Sequence, residues 1–212
     1  MRPPKERIAA RAARELRAGE VVNLGIGLPN MIPTELERPD AIFLHTENGL
    51  LGVGPRPAPE DVDPDLVDAA KLPITARPGA ACFDSADSFA MIRGGHVDVA
   101  VLGALQVSSG GDIANWAVPG RAVLGVGGAM DLVVGARRVI VTMTSTGPDG
   151  DPKLVPECTY PLTARGAADV VVTELAVFRL RAGRLVLTEL LEGATLEDVA
   201  RVTTASYLVE LP

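Results

Sequence analysis

The run Val97-Asp98-Val99-Ala100-Val101-Leu102-Gly103-Ala104-Leu105 carries one charge and is otherwise apolar. Side chains alternate between the two faces of a strand. A strand that is apolar on both has no side for water and must run through a sheet covered above and below. Val21-Val22-Asn23-Leu24-Gly25-Ile26-Gly27, Ala41 to Leu44, Arg138 to Thr144, Asp169 to Leu175 and Arg184 to Leu191 read as further strands of this kind. Between them lie helical or glycine-rich stretches. Lys5 to Arg17 predicts a first helix, with Ile8, Ala12 and Leu16 on one face and Gly19 as its stop. Pro29 to Glu37 predicts a short helix with Pro33 in its first turns, and a helical turn is expected after Asp131. Thr195, with Asp198 three residues on, is placed to cap a last helix. The expected fold class is α/β: a single domain over residues 1–212, with a mixed, largely parallel β-sheet flanked by helices. Aromatic residues make up only 3%, so Val, Leu, Ile and Ala must build the core.

Charge and cysteine content narrow the function. A formal net charge of -7 with no block of Lys and Arg speaks against nucleic acid as a partner. No uninterrupted apolar stretch reaches the roughly 18 residues of a membrane span, and the start, Met1-Arg-Pro-Pro-Lys-Glu-Arg, is polar rather than signal-like. Cys82 and Cys158 are expected as free thiols in a reducing cytosol, and the chain as a cytoplasmic protein. His45 and His96 are the only histidines, and no Cys, His or carboxylate spacing predicts a metal site.

Three glycine-rich turns, Asn23 to Asn30, Asn48 to Gly54 and Gly125 to Asp131, hold the candidate chemistry. None matches a dinucleotide or P-loop fingerprint. Their glycines serve tight turns and positive φ angles, or they free backbone N–H groups at strand ends to stabilise an oxyanion. Asn23 and Asn115 either fix a substrate carboxylate or stitch a turn together. Lys71, the only lysine between Lys5 and Lys153, either pairs with an anion or is an ordinary surface residue. Glu47 stands where the apolar run ends and Asn48-Gly49 turns the chain. Locally it reads as a solvated turn residue or as a nucleophile on a rigid backbone. No serine, cysteine or lysine has the surroundings of an alternative nucleophile. Pro55 to Asp65, rich in proline and acid, is a surface loop.

Five blocks, in order, carry a resemblance. They are Asn23-Leu-Gly-Ile-Gly-Leu-Pro29, Glu47-Asn-Gly-Leu-Leu-Gly-Val-Gly-Pro55, Phe83-Asp-Ser-Ala-Asp-Ser-Phe-Ala-Met-Ile-Arg-Gly-Gly-His96, Ala114-Asn-Trp116 and Gly127-Gly-Ala-Met-Asp-Leu132. From about Glu6 to Val209 the chain closely resembles the B (beta) subunit of the 3-oxoacid coenzyme A transferases. The resemblance implies the family I CoA-transferase fold and makes Glu47 the catalytic residue. Its carboxylate would attack the thioester of an acyl-CoA, giving an acyl-glutamyl anhydride and CoA thiolate. The thiolate would return to form a glutamyl-CoA thioester, which the incoming 3-oxoacid attacks in turn.

By the same resemblance, Gly127 and Gly128 contribute to oxyanion stabilisation, and Asn23 corresponds to an asparagine lining the acid-binding pocket. Asn48 and Asn115 fall in the matching blocks and are carried as substrate-binding candidates. Lys71 corresponds to a lysine near the CoA, with Gly25 and Gly27 as further CoA-binding candidates. Coenzyme A enters as a thioester substrate, with no tightly bound cofactor. A partner is implied too: an A (alpha) subunit of related fold, forming an αβ pair that is often doubled to α2β2.

This chain also departs from the family pattern. Thr46 replaces the usual serine before the glutamate, Asp68-Ala69-Ala70-Lys71 replaces Asn-Ala-Gly-Lys, and Thr144-Ser145 stands where many members carry Glu-His. Lys153 to Thr163 looks like the 3-oxoadipate branch. Phe83-Asp-Ser and Asn115 to Gly120 look like the succinyl-CoA:acetoacetate branch, and a general 3-oxoacid enzyme is expected.

Overall fold

The computed structural model, which describes residues 2–120 and 125–212, puts the apolar run at the centre of the molecule. Strand β5 (Val99–Gly103) buries Val99 and Val101 on one side and Ala100 and Leu102 on the other. Five parallel strands form the middle of the sheet: β2 (Phe43–Thr46), β1 (Val21–Leu24), β5, β8 (Arg138–Thr142) and β10 (Val170–Val172). One edge continues antiparallel through β3 (Leu50–Val53) and β4 (Ala76–Cys82). The other continues through β11 (Ala176–Arg181), β12 (Arg184–Leu190) and a last, parallel strand β13 (Tyr207–Val209). The result is a mixed ten-stranded sheet. A second sheet of β7 (Ile113–Ala114), β6 (Gln106–Ser108) and β9 (Leu154–Val155) adds Val107, Ile113 and Leu154 to one core.

Helices cover both faces. Helix α1 (Pro4–Ala13) packs Ile8 and Ala12 against Val22, Val99, Val101 and Ile140. Opposite it, α2 (Ser85–Arg93) and α3 (Ala129–Gly135) bring Ile92 and Leu132 to Ala100, Leu102 and Val141. Arg93 ties these two helices through Asp131 at 2.7 Å. Helix α4 (Leu196–Val202) carries the expected capping box, with Thr195 and Asp198 each bonding the other's backbone N–H.

Several expected bounds shift, each for a local reason. Helix α1 ends at Ala13 rather than Arg17, because Arg14, Glu15 and Leu16 donate to Arg11, Ala12 and Ala13, three residues back, and the last turns tighten. Leu16 still packs on the core face its spacing predicted. The helix expected over Pro29 to Glu37 is a 3-10 segment, Leu28–Glu35, in keeping with the missing N–H groups of Pro29 and Pro33. A 3-10 turn at Pro39–Ala41 moves β2 two residues on, to Phe43–Thr46. Helix α2 has no counterpart among the expected elements. Only Ser88 and Ile92 are buried on it, too little to write a helical period.

An ionic knot fastens the end of α1 to the sheet. Glu15, 7% exposed in its side chain, accepts from Arg179 at 2.7 Å and from Arg11 at 2.9 Å, and Arg11 also reaches Glu189 at 2.7 Å. Burial alone would raise the Glu15 carboxyl, but the bonds and charges of Arg179 and Arg11 outweigh it and hold the group below its ordinary value. Glu15→Ala leaves these guanidinium groups facing each other, so urea unfolding should show a loss of about 3 to 5 kcal/mol. The lowered folded pKa makes this stabilisation full above the unfolded carboxylate value, and it fades as pH falls through the folded one. A variant as stable as the parent would show the knot to be inert.

Candidate active site

The parallel strands deliver their C-terminal ends to one edge of the sheet, where α/β folds build sites. Strand β2 ends there in His45 and Thr46, and Glu47 opens the turn into β3. Gly49 makes this turn possible at φ +120°, and its N–H returns to the Thr46 carbonyl at 2.9 Å. The Glu47 carboxyl is half-buried and makes no hydrogen bond or ion pair with a described residue. Burial raises its pKa above the ordinary carboxylate value. Partial removal from water makes a carboxylate a stronger base and nucleophile than a fully solvated one.

Gly128 lies directly against it. A Cβ there would come 2.9 Å from Glu47 Oε1 and 3.0 Å from Phe89 Cζ. Glycine therefore lets the carboxyl lie on bare backbone, under the edge of the Phe89 ring. Gly127 next to it adopts the left-handed φ of +57°. Among the described residues, neither the Gly127 nor the Gly128 N–H has an acceptor.

The structure thus brings together Glu47, Gly127 and Gly128, and it distributes the other candidates around them. Asn48 does not point freely into a pocket. Its Oδ1 accepts from the Thr46 hydroxyl at 2.6 Å, and its Nδ2 donates to the Val67 carbonyl at 2.8 Å. The Thr46 hydroxyl also accepts from Ala69 N–H at 3.0 Å. These bonds hang the Asp68-Ala69-Ala70-Lys71 block from the turn that carries Glu47. Asp68 shapes that block by accepting from Ala70 and Leu72 N–H at 2.8 and 2.9 Å. Lys71 sits at its tip, exposed, with a φ of +64° unusual for a side-chain residue and an ammonium group that no described residue engages.

Asn23 is fully enclosed in β1 and in this structure braces a neighbour rather than facing a ligand. Its Nδ2 lies 3.0 Å from His45 Nδ1, and its Oδ1 is buried with no partner among the described residues. Gly25 spends its N–H on the Val101 carbonyl at 2.8 Å, and a Cβ there would meet Leu102 at 2.9 Å, so it serves strand packing. Gly27, at φ +94°, faces open space. Asn115 is stitched to Thr163, whose hydroxyl donates to Asn115 Oδ1 at 2.7 Å.

Two groups of residues in this region were not singled out from the sequence. His45, 4% exposed, bridges Asn23 and Ser88 and stacks on Phe83 at 6.0 Å. Its place directly after the apolar run Ala41 to Leu44 and two residues before Glu47 was the available signal. Lys153 and Glu174 lie beyond the end of β8, beside Thr144-Ser145. Ser145 N–H donates to Glu174 at 2.9 Å, and the Ser145 carbonyl accepts from Lys153 N–H at 2.9 Å. Burial lowers the Lys153 amine to about 8 despite the nearby Glu174 charge. Two ionisable residues distant in sequence, Lys153 and Glu174, thus meet at this strand end through Ser145. No three His, Cys, Asp or Glu side chains gather as metal ligands among the described residues, and no described helix is long and apolar enough to cross a membrane.

Comparison with known proteins gives the family of the chain. The pattern of the family "Coenzyme A transferase" matches residues 5–201. The beta subunit of the acetate CoA-transferase of Escherichia coli (strain K12) is 52% identical over 205 residues, covering 97% of this chain and 94% of that protein. The B subunit of the succinyl-CoA:3-ketoacid coenzyme A transferase of Helicobacter pylori (strain ATCC 700392 / 26695) is 48% identical over 207 residues, covering 98% and 100%. The crystal structure of an acyl-CoA transferase from Escherichia coli O157:H7 superposes with a TM-score of 0.80 at 23% identity, over 99% of this chain and 43% of that one. The last likeness bears on the fold alone. A family pattern running almost the whole length, together with relatives near half-identity end to end, establishes that this chain is a member of the coenzyme A transferase family.

Proposed function

We propose that this chain is the glutamate-bearing half of a 3-oxoacid CoA-transferase that moves CoA from succinyl-CoA to an acid such as acetoacetate. The observation that carries the reading is the Glu47 carboxyl, half-buried and without a partner among the described residues, lying on the Gly128 backbone at the strand ends. Its Oε attacks the thioester carbon, the C–S bond breaks, and CoA leaves as thiolate while an anhydride forms. The thiolate then attacks the Glu47 carbonyl, releasing the first acid and leaving CoA on the protein. The second acid repeats the sequence in reverse. Each attack passes through an anionic tetrahedral carbon, to which the N–H groups of Gly127 and Gly128 are open. Lys71 would meet the anionic CoA, and Asn48 would hold the block that carries Lys71 rather than touch the acid.

A second subunit completes the site in this reading. Ile26, in the turn after β1, and Met130, in the first turn of α3 beyond Gly128, are exposed apolar residues near the strand ends that carry the site, Ile26 by 66%. A partner covering them would also close the open side of Glu47 and exclude water from the anhydride. The naming of relatives as beta or B subunits supports such a partner.

The likeness of Lys153 to Thr163 to the 3-oxoadipate branch supports one other acceptor. The chain should be co-expressed with its A-type subunit and exchange measured from succinyl-CoA to acetoacetate, to 3-oxoadipate and to acetate. Acetoacetate should give the highest kcat/KM. A clear preference for another acid would move the assignment to that acid, and net thioester hydrolysis without acid would replace transfer by hydrolysis.

A further inference from the structure

We infer that His45 is a positioning residue for Glu47, acting through a buried Asn23–His45–Ser88 chain that holds helix α2 over the carboxyl. The inference rests on Glu47 being the nucleophile. His45 is the second residue before Glu47 and points to the sheet face that α2 covers, where its Nε2 lies 3.1 Å from Ser88 Oγ. Ser88 is fully buried and immediately precedes Phe89, whose ring edge shares with Glu47 the space above Gly128. One imidazole thus joins β1, β2 and α2 at the point where the strand gives way to the catalytic turn. With Asn23 Nδ2 as donor, Nδ1 accepts, so the ring proton sits on Nε2 and is given to Ser88.

Two further contacts make the arrangement stiff. The His45 ring stacks on Phe83 with 15° between the planes. Phe83 in turn donates its N–H to the Gly49 carbonyl at 3.0 Å, so the ring and the turn share one support. Burial takes the His45 pKa down to about 4, which keeps the ring neutral and its single donor fixed at working pH. Its described hydrogen-bond partners, Asn23 and Ser88, are both neutral, so its part is direction rather than proton transfer.

The test is the single-turnover rate of CoA-adduct formation on Glu47 in the co-expressed complex, per active site, across a pH range. His45→Ala should lower that rate on the order of 10²-fold, the cost of misplacing a reacting group by about an ångström. KM for acyl-CoA should hold near the parent value. The apparent pKa of Glu47 in the profile should move down toward that of a solvated carboxylate, because the cover loosens. Ser88→Ala, which leaves the ring packed, should cost about tenfold, the worth of one buried hydrogen bond. His45→Gln, which keeps a donor and an acceptor, should restore most of the rate.

Variants that lose thermal stability but keep the parental rate and pH profile per titrated site would overturn the inference and leave His45 a packing residue. Absence of any adduct on Glu47 in the parent complex is a separate result, and it would remove the nucleophile itself.

Discussion

Replacing Glu47 by alanine is expected to leave folding and assembly intact and to lower CoA exchange on the order of 10⁴-fold or more, as loss of a covalent nucleophile does. The structure explains both halves of that expectation. No described residue bonds the carboxyl, and it lies against the backbone of Gly128. Its effect on stability should have the opposite sign to that of most substitutions. A folded pKa raised by burial means that the ionised form is disfavoured in the folded protein, so above that pKa the charge costs stability. Glu47→Gln should therefore melt at a higher temperature than the parent near neutral pH, and the difference should vanish in acid, where both side chains are neutral. Melting curves at the two pH values decide the point. An unchanged Tm at neutral pH would mean that the carboxylate is solvated after all, and appreciable exchange by Glu47→Ala would move the nucleophile elsewhere.

The parts of the fold that the sequence displayed are those where burial is symmetric. Strand β5, with Val99 to Leu102 inside on both faces, could hardly be read otherwise. Arg138 to Thr142 and Val170–Val172 were legible for the same reason. Strand β4 was not, because Ala76–Cys82 is a largely exposed edge that contains Pro78 and Gly79 and shows no alternation. Strand β11 was not expected either: it follows β10 after only three residues, with no glycine, proline or asparagine between to mark a new strand. In the candidate site, Glu47 and its glycines could be located because glycine and carboxylate at a strand end are local marks. The Asn23–His45–Ser88 chain joins residues 22 and 43 positions apart, and the Lys153–Glu174 pair is equally nonlocal. Such contacts exist only once the parallel crossovers have formed. Asn48 shows the converse: its side chain is spent on the Thr46 hydroxyl and the Val67 carbonyl, a use that residue type alone does not reveal.

Gly49 is the residue on which the turn itself depends, and Gly49→Ala should be the most disruptive methyl that can be added near the site. Two costs fall together there. The φ of +120° lies outside what an alanine adopts without strain. The added Cβ would also stand 2.0 Å from the Phe83 carbonyl oxygen, a backbone atom with no rotamer to move. Phe83 is held in place by its own N–H bond to the Gly49 carbonyl, and the next residue, Asp84, caps α2 through the Asp87 N–H at 2.9 Å. Relief must therefore push the Glu47 turn away from α2. The expected loss is about 3 kcal/mol or more in urea unfolding, since strain and overpacking act at one position. Exchange activity should drop on the order of 10²-fold in whatever fraction stays folded, because the turn carries Glu47. Gly150→Ala supplies the control: its φ of +86° is similarly unfavourable, but nothing lies within 4 Å of the new methyl. That variant should lose only about 1 to 2 kcal/mol and keep its activity. Equal losses in the two variants would show that φ alone matters at Gly49, and that the close approach of α2 to the turn is not what fixes Glu47 in place.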